Sequence, residues 1–140
     1  MKQYEPQFFL LLLVLAAAMT VACGSSTSRT LQSVTITPAI ADAQNYPGGM
    51  VQFTATGTYA APPSPVTPLA ATWGECDQTG NGTSEVSVST SGLAQCASGA
   101  VGTYKVWAFD FNATGPTCNV ANACGGGCGR VTGTAQLTCP

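Results

Sequence analysis

The sequence predicts an all-β domain, a sandwich of about seven short antiparallel strands, and three observations carry that expectation. Apolar and polar residues alternate with period two in several short runs, as in LQSVTITP, where Val34 and Ile36 fall on one face and Thr35 and Thr37 on the other. Sixteen glycines and nine prolines separate those runs with turn signals. The chain has 140 residues, 45% apolar and only 7% charged, which suits one domain with one core.

The chain opens differently. Lys2 stands in a short polar stretch, and the apolar run FFLLLLVLAAAM follows from Phe8 to Met19. Twelve residues make the apolar centre of a signal peptide but fall short of a membrane span. Residues 1–22 are therefore read as a targeting segment. The stretch Thr20-Val21-Ala22-Cys23 sets a small residue directly before a cysteine and resembles the lipobox of bacterial lipoproteins. Thr20 departs from the aliphatic residue usual there. The resemblance implies cleavage before Cys23 and lipidation of its sulfur, so the membrane becomes a partner through a lipid anchor. Gly24, where Asp would direct inner-membrane retention, implies the outer membrane if the cell is Gram-negative. Residues 24–30, GSSTSRT, contain no apolar side chain, so residues 23–30 read as the lipidated cysteine and its flexible tether.

Residues 31–140 form the expected domain. The first strand is LQSVTITP, and ADAQNYPGG is a turn cluster. MVQFTATGTY gives a second strand, with Val51, Phe53 and Ala55 on its apolar face. APPSPVTP is an extended loop, because proline supplies no ladder donor. A third strand begins at Leu69, Ala71 and Trp73. Short strands follow around Val86 to Val88 and Leu93 to Cys96, then GTYKVWAFDF, and last RVTGTAQLTC.

In order, "VTITPAIADAQNYPGGMVQFTATGTY", "ATWGEC", "VSTSGLAQC" and "AVGTYKVWAFD" resemble the successive motifs of bacterial Ig-like domains of group 2. The likeness runs over residues 31–110 and resumes at RVTGTAQLT. It implies an immunoglobulin-like sandwich. The segment 111–129, FNATGPTCNVANACGGGCG, is an insert where the family has a short connection, and the family does not generally carry the cysteines. In the family's register Tyr104, Val106 and Ala108 face inward, so Lys105, Trp107 and Phe109 face outward. That row is either a partner-binding face or a second small core under the insert.

Beyond Cys23, six cysteines remain, Cys76, Cys96, Cys118, Cys124, Cys128 and Cys139; an even number in an exported chain reads as disulfides, with fifteen connectivities open. The sandwich gathers Cys76, Cys96 and Cys139 at one end and Cys118, Cys124 and Cys128 at the other, which leaves three at each. A Cys76–Cys96 bridge across the turn-rich stretch between them is expected. Zinc is the weaker reading of the Cys118, Cys124 and Cys128 cluster, since an oxidising compartment and the absence of histidine favour disulfides, and no metal site is assigned.

Composition excludes several functions. From Cys23 onward the charged side chains are Arg29, Asp42, Glu75, Asp77, Glu85, Lys105, Asp110 and Arg130, too few and too mixed to attract nucleic acid. No histidine is present, so neither Ser-His nor Cys-His chemistry is available; no catalytic residue is assigned, no enzyme is expected and no cofactor is implied. Glu75 and Asp77 sit near a strand end, where solvated carboxylates are the simple reading. Asp77, Asn81 and Glu85 form a Gly-rich turn without the oxygen ligands of a calcium loop. The expected function is a membrane-anchored recognition, adhesion or spacer module with a protein or polysaccharide partner. The alternative is an accessory subunit of a membrane-bound enzyme or transporter.

Overall fold

The structure, a computed structural model, describes residues 29–110, 124 and 130–140. The expected signal segment, Cys23 and nearly all of residues 111–129, including Cys118 and Cys128, lie outside the described residues.

The described strands are β1 (Leu31–Thr37), β2 (Ile40–Asp42), β3 (Met50–Gln52), β4 (Thr54–Tyr59), β5 (Ala71–Cys76), β6 (Val86–Val88), β7 (Leu93–Cys96), β8 (Gly102–Asp110) and β9 (Thr132–Cys139). They form three ladders, β1-β4, β3-β7-β6 and β2-β9-β8-β5. Only Phe53 separates β3 from β4, and its backbone N–H donates to the Gly92 carbonyl at 2.9 Å. The first two ladders are thus one layer with a break at Phe53, and the third is the layer opposite. β1 packs near β9 and β5 near β6, giving a sandwich-like all-β fold.

Strand alternation builds the core. Val34, Ile36, Val51, Phe53 and Ala55 from one layer meet Tyr104, Val106, Ala108, Ala135 and Leu137 from the other, all buried. Each run has period two, so a single face of each strand supplies these residues. The outward face keeps the threonines of β1 and β9 in water.

Two details differ from the sequence reading. The expected second strand is broken in two, because Phe53 leaves the regular ladder and pairs instead with the β6–β7 turn. The stretch read as a turn cluster begins with β2, which runs parallel to β9 through Ile40↔Gln136, Ala41↔Leu137 and Asp42↔Thr138. Three residues between turn signals are too few for alternation to show. Asp42 Oδ1 then accepts from the Gln44 N–H at 3.0 Å and turns the chain away.

The SGL turn has a steric reason. Gly92 has φ +82°, and a Cβ there would stand 2.5 Å from the Phe53 carbonyl oxygen. A side chain at this position would both strain the turn and push β3 and β4 away.

Candidate functional site

The outer face of β8 was the first candidate. In its register Lys105 lies opposite Cys76, Trp107 opposite Gly74 and Phe109 opposite Thr72. Trp107 and Phe109 stack with ring centroids 5.5 Å apart and planes within 2°, but they are only 4% and 6% exposed. With Cys76 and Cys124 they form a separate buried cluster, and the Arg130 guanidinium lies 5.0 Å over the Phe109 ring. Of the two readings open for the row of Lys105, Trp107 and Phe109, the burial of the two aromatics favours the small core over the binding face. Lys105 alone keeps partial access to water, and the two aromatics make a second small core. Gly74 makes room for it, since a Cβ there would overlap the Trp107 ring. Among the described residues, the Trp107 indole N–H is a buried polar group without a hydrogen-bond partner.

The expected Cys76–Cys96 bridge is corrected. Cys76 joins Cys124 and Cys96 joins Cys139, with Cα separations of 5.8 and 5.9 Å. The reason is strand parity. Glu75 lies opposite inward-facing Val106, so Cys76 points out of the sandwich and meets Cys124 on the outer face. Cys139 is buried in the main core and Cys96 packs against it, so this pair closes between the layers. The same signal was available in the sequence: with Trp73 inward, alternation sends Gly74 and Cys76 outward, onto the side of Trp107.

A different site emerges on the β5–β6 side. β7 is short and pairs with β3 on one side and β6 on the other, so neither strand of that hairpin extends along β4 beyond Phe53. The proline loop and Leu69 cover part of β4, with Val66 and Gly57 exchanging backbone bonds at 2.9 and 3.0 Å and the Leu69 N–H donating to the Ala55 carbonyl at 2.8 Å. The remaining gap is an open groove of about 730 Å³, within the range of ligand-binding clefts. Buried Phe53, Ala55 and Leu69 border it, half-buried Trp73 forms one wall, and Val88 and Thr90 stand on the other side. Gln52 Nε2 donates to the carbonyls of Phe53 and Ser91, both at 2.8 Å, fixing the β6–β7 turn at the groove's rim.

Glu75 follows Trp73 on the same inward face of β5, and its burial pushes the carboxyl above the usual range, while a backbone contact from Val88 pulls the other way. It is not the solvated carboxylate expected. Asp77 is separate from it, in a turn where Oδ1 accepts from the Asn81 N–H at 2.8 Å and the Thr79 hydroxyl at 2.7 Å, which holds its carboxyl below the usual range. Those bonds close the turn over residues 77–81, and no group of three or more metal-ligating side chains occurs among the described residues.

At the end where the chain enters, Arg29 Nη1 donates to the Pro63 carbonyl at 2.5 Å and its guanidinium lies 4.5 Å over the Tyr59 ring. The Tyr59 hydroxyl donates to Asp110 Oδ2 at 3.0 Å, and burial, followed by this carboxylate, raises the phenol's pKa. Arg29 thus lies against the proline loop and Tyr59, beside the end of β8. A scan against protein-family models gives no match to this chain, and a search of the curated proteins gives none either.

Proposed function

We propose that this chain is an exported, lipid-anchored immunoglobulin-like module whose work is recognition. The observation that carries the reading is the pair of disulfides, because such bonds persist in oxidising compartments and here each joins parts of the sandwich distant in sequence. Export agrees with the apolar run before Cys23, and the seventh cysteine lies apart from the domain, directly before a polar tether.

The immunoglobulin-like assignment draws on topology. One layer has the order β1, β4/β3, β7, β6 and the other β2, β9, β8, β5, the arrangement of that sandwich with a short first-strand segment crossing to the opposite layer. Near the start of β8 the Tyr104 hydroxyl lies 3.0 Å from the Val101 carbonyl and 2.5 Å from Glu85 Oε2. A tyrosine there whose hydroxyl reaches back to the nearby backbone is the corner found in such domains. Glu85 is first among the causes that raise this phenol's pKa, so the hydroxyl stays protonated and able to donate.

A lipid on Cys23 fixes the module to a membrane, since two or more acyl chains anchor stably where one does not. The test is Cys23→Ser in the full chain. The wild type is expected in the detergent phase, with an N-terminal mass that includes acyl groups, and the variant in the aqueous phase or unprocessed. Equal partitioning of the two would remove the anchor.

A further inference from the structure

We infer that the groove beside Trp73 binds a neutral oligosaccharide, an inference that rests on the recognition reading and assigns the site and its ligand class. Three observations lead to it. The groove has a permanent shape, because its floor is core and its rim is held by the two Gln52 bonds to Phe53 and Ser91. None of its lining residues carries a charge. Its polar side chains are instead an amide and hydroxyls, from Gln52, Thr90 and Ser91, near one half-buried indole, while Thr54 and Thr72 border it from strand positions whose side chains alternate away from the core face.

That combination suits a sugar ring. The C–H face of a pyranose packs on an aromatic side chain, while its hydroxyls, each both donor and acceptor, match threonine, serine and amide groups. Gln52 directs both amide hydrogens to carbonyls, which leaves Oε1 as an acceptor without a partner among the described residues. An anionic glycan would find no cation in the groove, in a chain of net charge −2. The volume, about 730 Å³, accommodates two or three sugar rings, and the groove is open along the β5–β6 side, so a longer chain can run out of it.

The chain's two tryptophans give a test with a built-in control, because Trp73 borders the groove and Trp107 is buried on the far face of β5 and β8. The full chain, in a zwitterionic detergent without a sugar headgroup, is titrated with cellohexaose, laminarihexaose and hexa-N-acetylchitohexaose. The two indole N–H resonances are followed by NMR. At least one sugar is expected to shift the Trp73 resonance saturably, with a midpoint below about 1 mM, and to leave Trp107 unmoved. Trp73→Ala is expected to abolish the calorimetric signal, and Thr90→Val, an exposed rim substitution that leaves the core intact, to weaken it at least fivefold. No Trp73 shift by any of the three sugars at about 5 mM would overturn the proposal, as would a shift confined to Trp107. A shift produced by an extended Thr-Val hexapeptide and by none of the sugars would also overturn it, in favour of strand addition at β5. Partitioning of Cys23→Ser judges the anchored-module reading separately, so loss of the sugar site and loss of the anchor are told apart.

Discussion

The two disulfides close loops of similar length, with sequence separations of 48 for Cys76–Cys124 and 43 for Cys96–Cys139, yet they hold different things. Cys96–Cys139 lies against the main core and ties one layer to the other. Cys76–Cys124 lies outside the sandwich, where it completes the cluster of Trp107 and Phe109. Loop closure alone gives each about 4 kcal/mol by constraining the unfolded chain. The difference therefore lies in the folded state: one bridge reinforces a core that strand pairing already builds, and the other helps to make a core on a sheet face that would otherwise be wet.

Substitutions can break that contrast, beginning with the largest effects. Cys96→Ser with Cys139→Ser is expected to lower unfolding stability by about 4 kcal/mol in a denaturant melt, with little change in acrylamide quenching of the native state. Cys76→Ser with Cys124→Ser should cost a similar amount and also make one of the two tryptophans quenchable, because Trp107 loses its cover. Equal quenching in both double variants would erase the distinction. Trp107→Ala is expected to cost about 3 to 5 kcal/mol, the range for a buried aromatic, and a loss below about 1 would mean that the outer cluster is not a core. Gly74→Ala should cost about 1 to 3 kcal/mol, since the new methyl displaces the indole. Trp107→Phe sharpens the picture, because it retains an aromatic ring and removes the unpartnered N–H, a group whose burial costs about 1 to 3 kcal/mol. Its melt should fall within about 1 kcal/mol of wild type.

The smallest expected effect is on pH dependence. Glu75 titrates above its ordinary 4.5 in the folded protein, so the folded state favours the protonated carboxyl. Its contribution to stability is full below the unfolded value and is lost as pH rises through the folded one. Asp77 has the opposite sign: held below its ordinary 3.8, it stabilises above that value, and the contribution is lost as pH falls through the folded pKa. Urea melts from pH 4 to 7 should therefore show a decline toward neutrality that Glu75→Gln removes. An identical slope in wild type and variant would place Glu75 in water.

Much of the main core could be read from the sequence, because Val34, Ile36, Val51, Phe53 and Ala55 follow one period and only one face of such strands can be buried. The strands from Trp73 onward were legible for the same reason. The outer cluster was not, although the register of Trp107 was, because alternation says which way a side chain points and nothing about what covers it. The cover comes from Cys124, which no alternation in the sequence places, and from Arg130. The Cys76 pairing was half legible, since parity with Trp73 sends its sulfur outward. The groove left no motif. It results from strand lengths, β6 and β7 stopping short of β4, and no local pattern encodes a missing neighbour.

These two bridges lock the sandwich, and trypsin under denaturing, non-reducing conditions tests that most directly. Cleavage after Arg29, Lys105 and Arg130 leaves fragments 30–105, 106–130 and 131–140, with Cys76 and Cys96 on the first, Cys118, Cys124 and Cys128 on the second and Cys139 on the third. The structure predicts that all three stay joined in one species until a reductant is added. Free 131–140 together with an internally bridged 30–105 would mean that Cys76 and Cys96 pair with each other, and would contradict both the fold and the assignment built on it.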